Sequence, residues 1–189
     1  IEFRITVQNA AYPITVKALV GPPPPSSSSY NLRPANQLEG NQPEASFGDS
    51  VAGVGDVNGD GYADVLVGAS FYDNGEPEEG TAFLFLGSPS GLIGTGPVTA
   101  AAALEGNQVG AYFGDSVAGA GDVNGDGYAD VLVGAYSYDN GESSEGAAFL
   151  FLGSPSGLIG TDPVTAAAAL EGNQAGALFG DSVAGAGDV

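Results

Sequence analysis

The chain has 189 residues and contains no cysteine, histidine, methionine or tryptophan. Without cysteine there is no disulfide framework and no thiol chemistry, although this does not fix the cellular compartment. Without histidine or cysteine, neither a Ser-His nor a Cys-His nucleophile system can be assembled within the chain. Basic residues are nearly absent as well: Arg4, Lys17 and Arg33 are the only three, against 23 acidic residues, for a net charge of −20. So acidic a chain lacks the basic patches that nucleic acid or anionic membrane requires. No apolar run approaches the ~20 residues of a membrane-spanning helix. The N-terminus shows neither a starting Met nor a basic segment followed by an apolar core, so no signal peptide is visible and the chain reads as processed, excised or partly represented.

Glycine is abundant, with 32 residues, and much of it lies in a repeat. Phe47-Gly48, Phe113-Gly114 and Phe179-Gly180 are spaced by 66 residues, and residues 47–112 and 113–178 agree at 57 of 66 positions. A period of this size points to arrays or propellers, and identity this high points to recent duplication or deliberate construction. Within each period the sequence Asp-Val-Asn-Gly-Asp-Gly-Tyr-Ala-Asp recurs, at 56–64 and at 122–130. A third copy begins at Asp188.

The nine-residue segment has the chemistry of a cation loop. Oxygen-bearing side chains occupy positions 1, 3, 5 and 9, and position 6 is a glycine free to take φ > 0. A hard cation such as Ca²⁺ takes 6–8 oxygens at roughly 2.3–2.6 Å. The expected ligands are Asp56, Asn58, Asp60, the Tyr62 carbonyl and a bidentate Asp64. In the second loop they are Asp122, Asn124, Asp126, the Tyr128 carbonyl and Asp130, and Asp188 would open the third. Carboxylates ~4 Å apart repel by about 1 kcal/mol per pair in water and about 4 at an effective dielectric of ~20. From Pro34 onward there is no Lys, Arg or His, so the counter-ion must come from solution. The competing reading is an Asp/Asn/Gly turn capped by its own side chains. An EF-hand is excluded, because position 12 is Val67 rather than Glu and the following Val-Leu-Val-Gly-Ala suits a strand, not a helix.

In chain order, residues 1–20 alternate apolar and polar, predicting a β-hairpin with a turn near Asn9-Ala10-Ala11 and Pro13 at an edge-strand start. It reads as the end of an upstream β domain or as an arm that pairs with another subunit. Residues 21–37 form a linker, with Pro22 to Pro25 a short polyproline II rod and Ser26 to Ser29 flexible. An SH3-type ligand is the functional alternative to a spacer there, but no basic residue flanks the prolines in a recognisable way. Residues 38–189 are the repeat region. Each period holds four strand-like pieces, in the first copy Ser50–Gly55, Val65–Ala69, Ala82–Leu86 and Ala101–Leu104. The last runs against the helical preference of alanine. The continuously apolar middle pieces predict strands buried on both faces, as in stacked propeller blades. Small residues such as Ala52, Gly53, Ala118 and Gly119 suit an inner strand that crowds the axis.

Together, Phe47-Gly48, Ser-Val-Ala-Gly, the DxNxDGxxD loop and Gly68-Ala69 resemble the FG-GAP repeat of integrin α subunits and bacterial surface proteins. The resemblance implies an all-β propeller, with two complete four-stranded blades and the start of a third after the hairpin. It also implies Ca²⁺ in the loop joining the first two strands of each blade. The Pro of the family's Gly-Ala-Pro is replaced by Ser70 and Tyr136. A propeller generally needs four or more blades, so the chain is either part of a longer repeat protein or an element whose open edges pair with other copies. The implied function is a calcium-binding extracellular or cell-surface module for adhesion or protein binding. The alternative is a self-assembling subunit of a surface fibre, a homo-oligomer or polymer with strand exchange between copies. No catalytic residues are expected. Asp49 and Asp73 read as turn caps, and Glu76 and Glu105 as solvated loop residues. Tyr72 and Tyr138, with Ser70-Phe71 and Tyr136-Ser137, lie where a propeller rim would meet a ligand, against the competing and favoured reading that they are aromatics packing their own loops.

Overall fold

The computed structural model describes residues 37–187, together with strand residues 3–6 and 15–18. The polyproline rod, the turn at Asn9-Ala10-Ala11, Pro13 and the expected ligand Asp188 lie outside the described residues. The N-terminal unit contains an antiparallel ribbon of β1 (Phe3–Thr6) and β2 (Thr15–Ala18). Their register sets Arg4 opposite Lys17 and Ile5 opposite Val16.

The second unit, from Leu38 onward, contains two four-stranded antiparallel meanders. The first comprises β3 (Val51–Gly55), β4 (Asp64–Ala69), β5 (Thr81–Phe85) and β6 (Ala102–Glu105), hydrogen-bonded in that order. The second comprises β7 (Phe113–Gly121), β8 (Asp130–Ala135), β9 (Ala147–Phe151) and β10 (Ala168–Glu171). Each of the two complete repeats thus folds as one blade. The alanine-rich fourth piece is a strand despite its helical propensity. A single 3-10 turn at Pro97–Thr99 leads into it, and β6 then pairs with β5 through Leu104↔Ala82.

The blades pack face to face. Leu66, Leu84 and Leu104 of the first blade share a core with Phe113, Val131, Val133, Phe149 and Phe151 of the second. The three leucines are 0%, 1% and 0% exposed. Burying each contributes about 1.5–3 kcal/mol. A second cluster lines the other face of the first blade, with Val67, Ala69, Phe83 and Phe85 backed by Leu38 and Phe47. All five residues of β5 are buried, which accounts for its lack of alternation.

Glycine sets the blade spacing. A Cβ on Gly119 would fall 3.0 Å from the Val54 Cα, and one on Gly185 would fall 2.1 Å from the Gly119 carbonyl oxygen. The first strands of successive repeats therefore approach at backbone distance. Gly53 meets nothing within 4 Å, so the crowding expected of the small residues is realised only where one repeat follows another. Side chains add a link at the same level. Ser50 Oγ accepts the Val117 N–H at 2.9 Å, and Ser116 Oγ accepts that of Val183 at 3.0 Å.

Candidate metal centre

The 56–64 loop leaves β3 through a bulge. The β3–β4 register shifts between Gly53 and Gly55, and Gly55 has φ 82°, a conformation open to glycine. The same irregularity precedes the second loop, between Gly119 and Gly121. Both loops thus connect the first two strands of a blade, and they lie side by side. The Ala129 N–H donates to the Asp56 carbonyl at 3.0 Å, and the Ser154 N–H to the Val57 carbonyl at 3.1 Å.

Asp56 is the hub of the first loop. Its Oδ1 accepts the N–H groups of Gly59 and Asp60 at 2.7 and 3.0 Å, and its Oδ2 accepts that of Gly61 at 2.7 Å. Gly61 has φ 88°, which allows this curl. Asn58 Oδ1 accepts the Asp60 N–H, and Asp60 Oδ1 accepts the Tyr62 N–H. Asp122, Asn124 and Asp126 repeat the pattern within 0.1 Å.

Asp64 closes the loop from below. It is fully buried, its Oδ2 accepting Val57 N–H at 2.9 Å and its Oδ1 accepting Gly87 N–H at 2.8 Å. It ties the loop to β4 and to the turn after β5. Burial pushes its carboxyl above the usual carboxylate range. The two amides oppose that push, while Asp60 and Asp56 add to it. Asp130 is equally buried and takes Val123 and Gly153 N–H at 2.7 and 2.8 Å.

The side-chain oxygens of the loops are thus turned largely toward loop amides. Among the described residues no three carboxylates converge into a metal-holding cluster by themselves. The donor set still fits a hard cation. All the groups are oxygens, Asp60 and Tyr62 are exposed, and the repeat region itself contains no Lys, Arg or His. Each Asp64 oxygen accepts one N–H and retains one lone pair.

The opposite connections carry buried acids that the sequence reading missed. Glu79 and Glu145 are each 1% exposed. Glu79 Oε1 accepts the N–H groups of Asn74 and Glu76 at 2.8 and 3.1 Å, and its Oε2 accepts that of Asn107 at 2.9 Å. Both precede a glycine at the same repeat position, which is the one signal the sequence offers. Asp73 caps its loop as expected, accepting the Glu78 N–H at 2.7 Å. Glu105 departs from the expectation of a solvated loop residue. It ends β6, half-buried, in contact with the Asn74 amide. Burial raises its pKa, with Glu79 and Asp162 adding to the effect and the Asn74 hydrogen bond opposing it. Glu76 is exposed, as a solvated loop residue should be. Asp49, Asp115 and Asp181 hold equivalent positions, and burial first, then Asp181 and Asp49, raise the pKa of Asp115.

Aromatics gather at the same end. Phe71 meets Tyr112 at 5.1 Å between ring centroids, and Tyr112 stacks on Tyr136 at 5.1 Å. Tyr72 and Tyr138 pack edge-on against Phe83 and Phe149, so these two are loop-packing residues.

Comparison with known proteins agrees with this architecture. The family model described as FG-GAP repeat matches residues 47–85 and 113–151. Integrin alpha-IIb of Mus musculus is 42% identical over 131 residues, covering 67% of this chain and 12% of the relative. Integrin alpha-6 of Gallus gallus is 40% identical over 152 residues, covering 79% of this chain and 13% of the relative. Integrin alpha-7 of Homo sapiens is 32% identical over 164 residues, covering 86% and 13%. The chain thus spans about an eighth of the length of these relatives. It carries two FG-GAP repeats, each folded as one four-stranded β-blade, and is similar in sequence to integrin α chains.

Proposed function

We propose that this chain is a calcium-binding FG-GAP propeller module that works outside the cell or at its surface, in adhesion or protein–protein interaction. The observation that supports the calcium reading is the pair of loops that wrap around Asp56 and Asp122 with the same hydrogen bonds, in a region with no cationic side chain. Asp56, Asn58, Asp60, the Tyr62 carbonyl and Asp64 would hold one ion. Asp122, Asn124, Asp126, the Tyr128 carbonyl and Asp130 would hold another, and Asp188 would be the first ligand of a third. The ion would supply the positive charge these loops lack. The interaction role rests on the likeness to integrin α chains and on the aromatic rim at Phe71, Tyr112 and Tyr136. Among the described residues no helix is long and apolar enough to cross a membrane.

Thermal unfolding with and without chelator tests the calcium reading. Extracellular EF-hand modules bind Ca²⁺ with Kd of about 10⁻⁴–10⁻³ M. Two such sites at about ten times Kd stabilise by roughly 3 kcal/mol, which raises the melting temperature by about 5–10 °C in a chain of this size. An identical melt with Ca²⁺ and with chelator would remove the calcium claim.

One observation favours a second reading, self-assembly. Leu132, Leu150 and Leu170 of the second blade repeat Leu66, Leu84 and Leu104, yet the first two are only partly buried and Leu170 is 57% exposed. With Ala168, Ala184 and Gly187 they line a groove of about 730 Å³. In the first blade the equivalent face is covered by the second blade, and in an assembly a blade from another copy would cover this one.

A further inference from the structure

The repeats contain four Asn-Gly pairs, Asn58-Gly59, Asn74-Gly75, Asn124-Gly125 and Asn140-Gly141. Glycine carries no side chain to shield its nitrogen, so its amide can attack the side-chain carbonyl of a preceding Asn. Sequence alone treats the four pairs alike, but the structure divides them into two classes.

In the 56–64 and 122–130 loops the attacking nitrogen is engaged. Gly59 N–H donates to Asp56 Oδ1 at 2.7 Å and Gly125 N–H to Asp122 Oδ1 at 2.8 Å. Asn58 and Asn124 are held at both ends, each accepting from and donating to the following Asp. At the other two pairs the hydrogen bonds pass over the glycine. Asn74 and Glu76 N–H both donate to Glu79 Oε1, and Asn140 and Glu142 N–H to Glu145 Oε1. Among the described residues no acceptor takes the N–H of Gly75 or Gly141, and both Asn-Gly pairs are exposed.

We infer that Asn74 and Asn140 are sites of spontaneous deamidation, and that the fold protects Asn58 and Asn124 from the same reaction. The Gly75 nitrogen loses its proton and attacks Asn74 Cγ. The Cγ–Nδ2 bond breaks, ammonia leaves, and a succinimide closes. Water then opens the ring at either carbonyl, giving Asp or isoaspartate without any oxidant or reductant.

The product matters because of what faces it. Asn74 Nδ2 donates to the Glu105 carboxyl, and Asn140 Nδ2 to that of Glu171. Deamidation removes that donor and puts a carboxylate opposite Glu105, above the buried Glu79. The 73–80 loop loses its side-chain bond to Glu105 of β6, while the Asn107 N–H to Glu79 and the Gly106 N–H to the Gly80 carbonyl remain. The same loop carries Glu78, which accepts the Tyr112 hydroxyl at the aromatic rim. Isoaspartate further adds a methylene to the backbone.

Incubation of the whole protein in mildly alkaline buffer tests the assignment. It would be followed by chymotryptic peptide mass spectrometry and isoaspartyl methyltransferase labelling. In folded protein, Asn74 and Asn140 should convert about tenfold or more faster than Asn58 and Asn124, the size expected from a charged hydrogen bond on the attacking amide. In urea the four rates should converge. Equal rates in the folded protein, or faster conversion at Asn58 and Asn124, would overturn the inference. The consequence is tested by Asn74→Asp against Asn74→Ala. Both lose the amide donor, and the Asp variant alone adds the charge, so it should melt lower. Equal melting would overturn the proposed loosening.

Discussion

Asp64 and Asp60 belong to one nine-residue motif but differ in what they hold together. Asp64 is buried and satisfies two backbone amides that have no water to turn to. Asp64→Ala leaves both N–H groups unpaired, at about 1–3 kcal/mol each, so it should destabilise the fold by roughly 2–5 kcal/mol in chelator as well as in Ca²⁺. Asp60 is exposed and bonded only within its loop. Asp60→Ala should therefore cost under about 1 kcal/mol in chelator, yet it should remove the stabilisation that Ca²⁺ gives at its loop. Urea titrations of both variants, each with and without Ca²⁺, separate the two roles. If Asp60→Ala kept the full calcium response, its place among the ligands would be lost. The sequence shows that both residues bring oxygen to one turn. It does not show that Asp64 is a structural bridge, because its partner Gly87 lies 23 residues away, after β5. Glu79 went unnoticed for the same reason. A glutamate in a polar stretch reads as solvated until the chain brings Asn74, Glu76 and Asn107 around it.

Strands and their spacing depend on residues that make no polar contact. Gly68 in β4 shows this most sharply: a Cβ there would fall 1.9 Å from the carbonyl oxygen of Gly114, and one on Gly134 would fall 2.0 Å from that of Gly180. The middle strand of each blade thus touches the Phe-Gly turn of the next repeat with no room for a methyl group. Gly68→Ala must push two blades apart, and the expected cost is about 1–3 kcal/mol or more. Gly53→Ala is the control, since nothing lies within 4 Å of a Cβ there. It should change stability by no more than about 0.5 kcal/mol. Chemical denaturation of the pair reads the difference, and equal stability would show that the blades give way easily. At this scale the period-66 pattern was enough to locate the four strands of the first blade within one residue of the observed elements, while in the second blade β7 begins at Phe113, three residues before the repeat equivalent of Ser50. Which glycines carry the packing was not legible, because Gly53 and Gly119 both end the same Ser-Val-Ala-Gly sequence, and the difference in packing comes from the repeat that precedes Gly119.

At the scale of the molecule two forces oppose each other. The repeat region carries 22 acidic and no basic residues from Pro34 onward, so like chains repel. Against this stands the leucine face of the second blade, whose counterpart in the first blade is wholly covered. A head-to-tail contact of this kind is heterologous, and it leads to rings or open chains rather than to a symmetric pair. Calcium in the loops and added salt both weaken the repulsion, since the screening length falls from about 30 Å at 0.01 M to about 8 Å at 0.15 M ionic strength. If the face mediates assembly, the mass measured by light scattering should rise with Ca²⁺ and with salt and fall toward that of one chain in chelator at low salt. Leu150→Glu should hold the chain monomeric under every condition, because it places a charge where the leucine face must be dehydrated. A wild-type monomer throughout would remove the self-assembly reading and leave adhesion as the better one. Charge then governs whether separate copies meet, while the apolar faces determine which surfaces touch when they do.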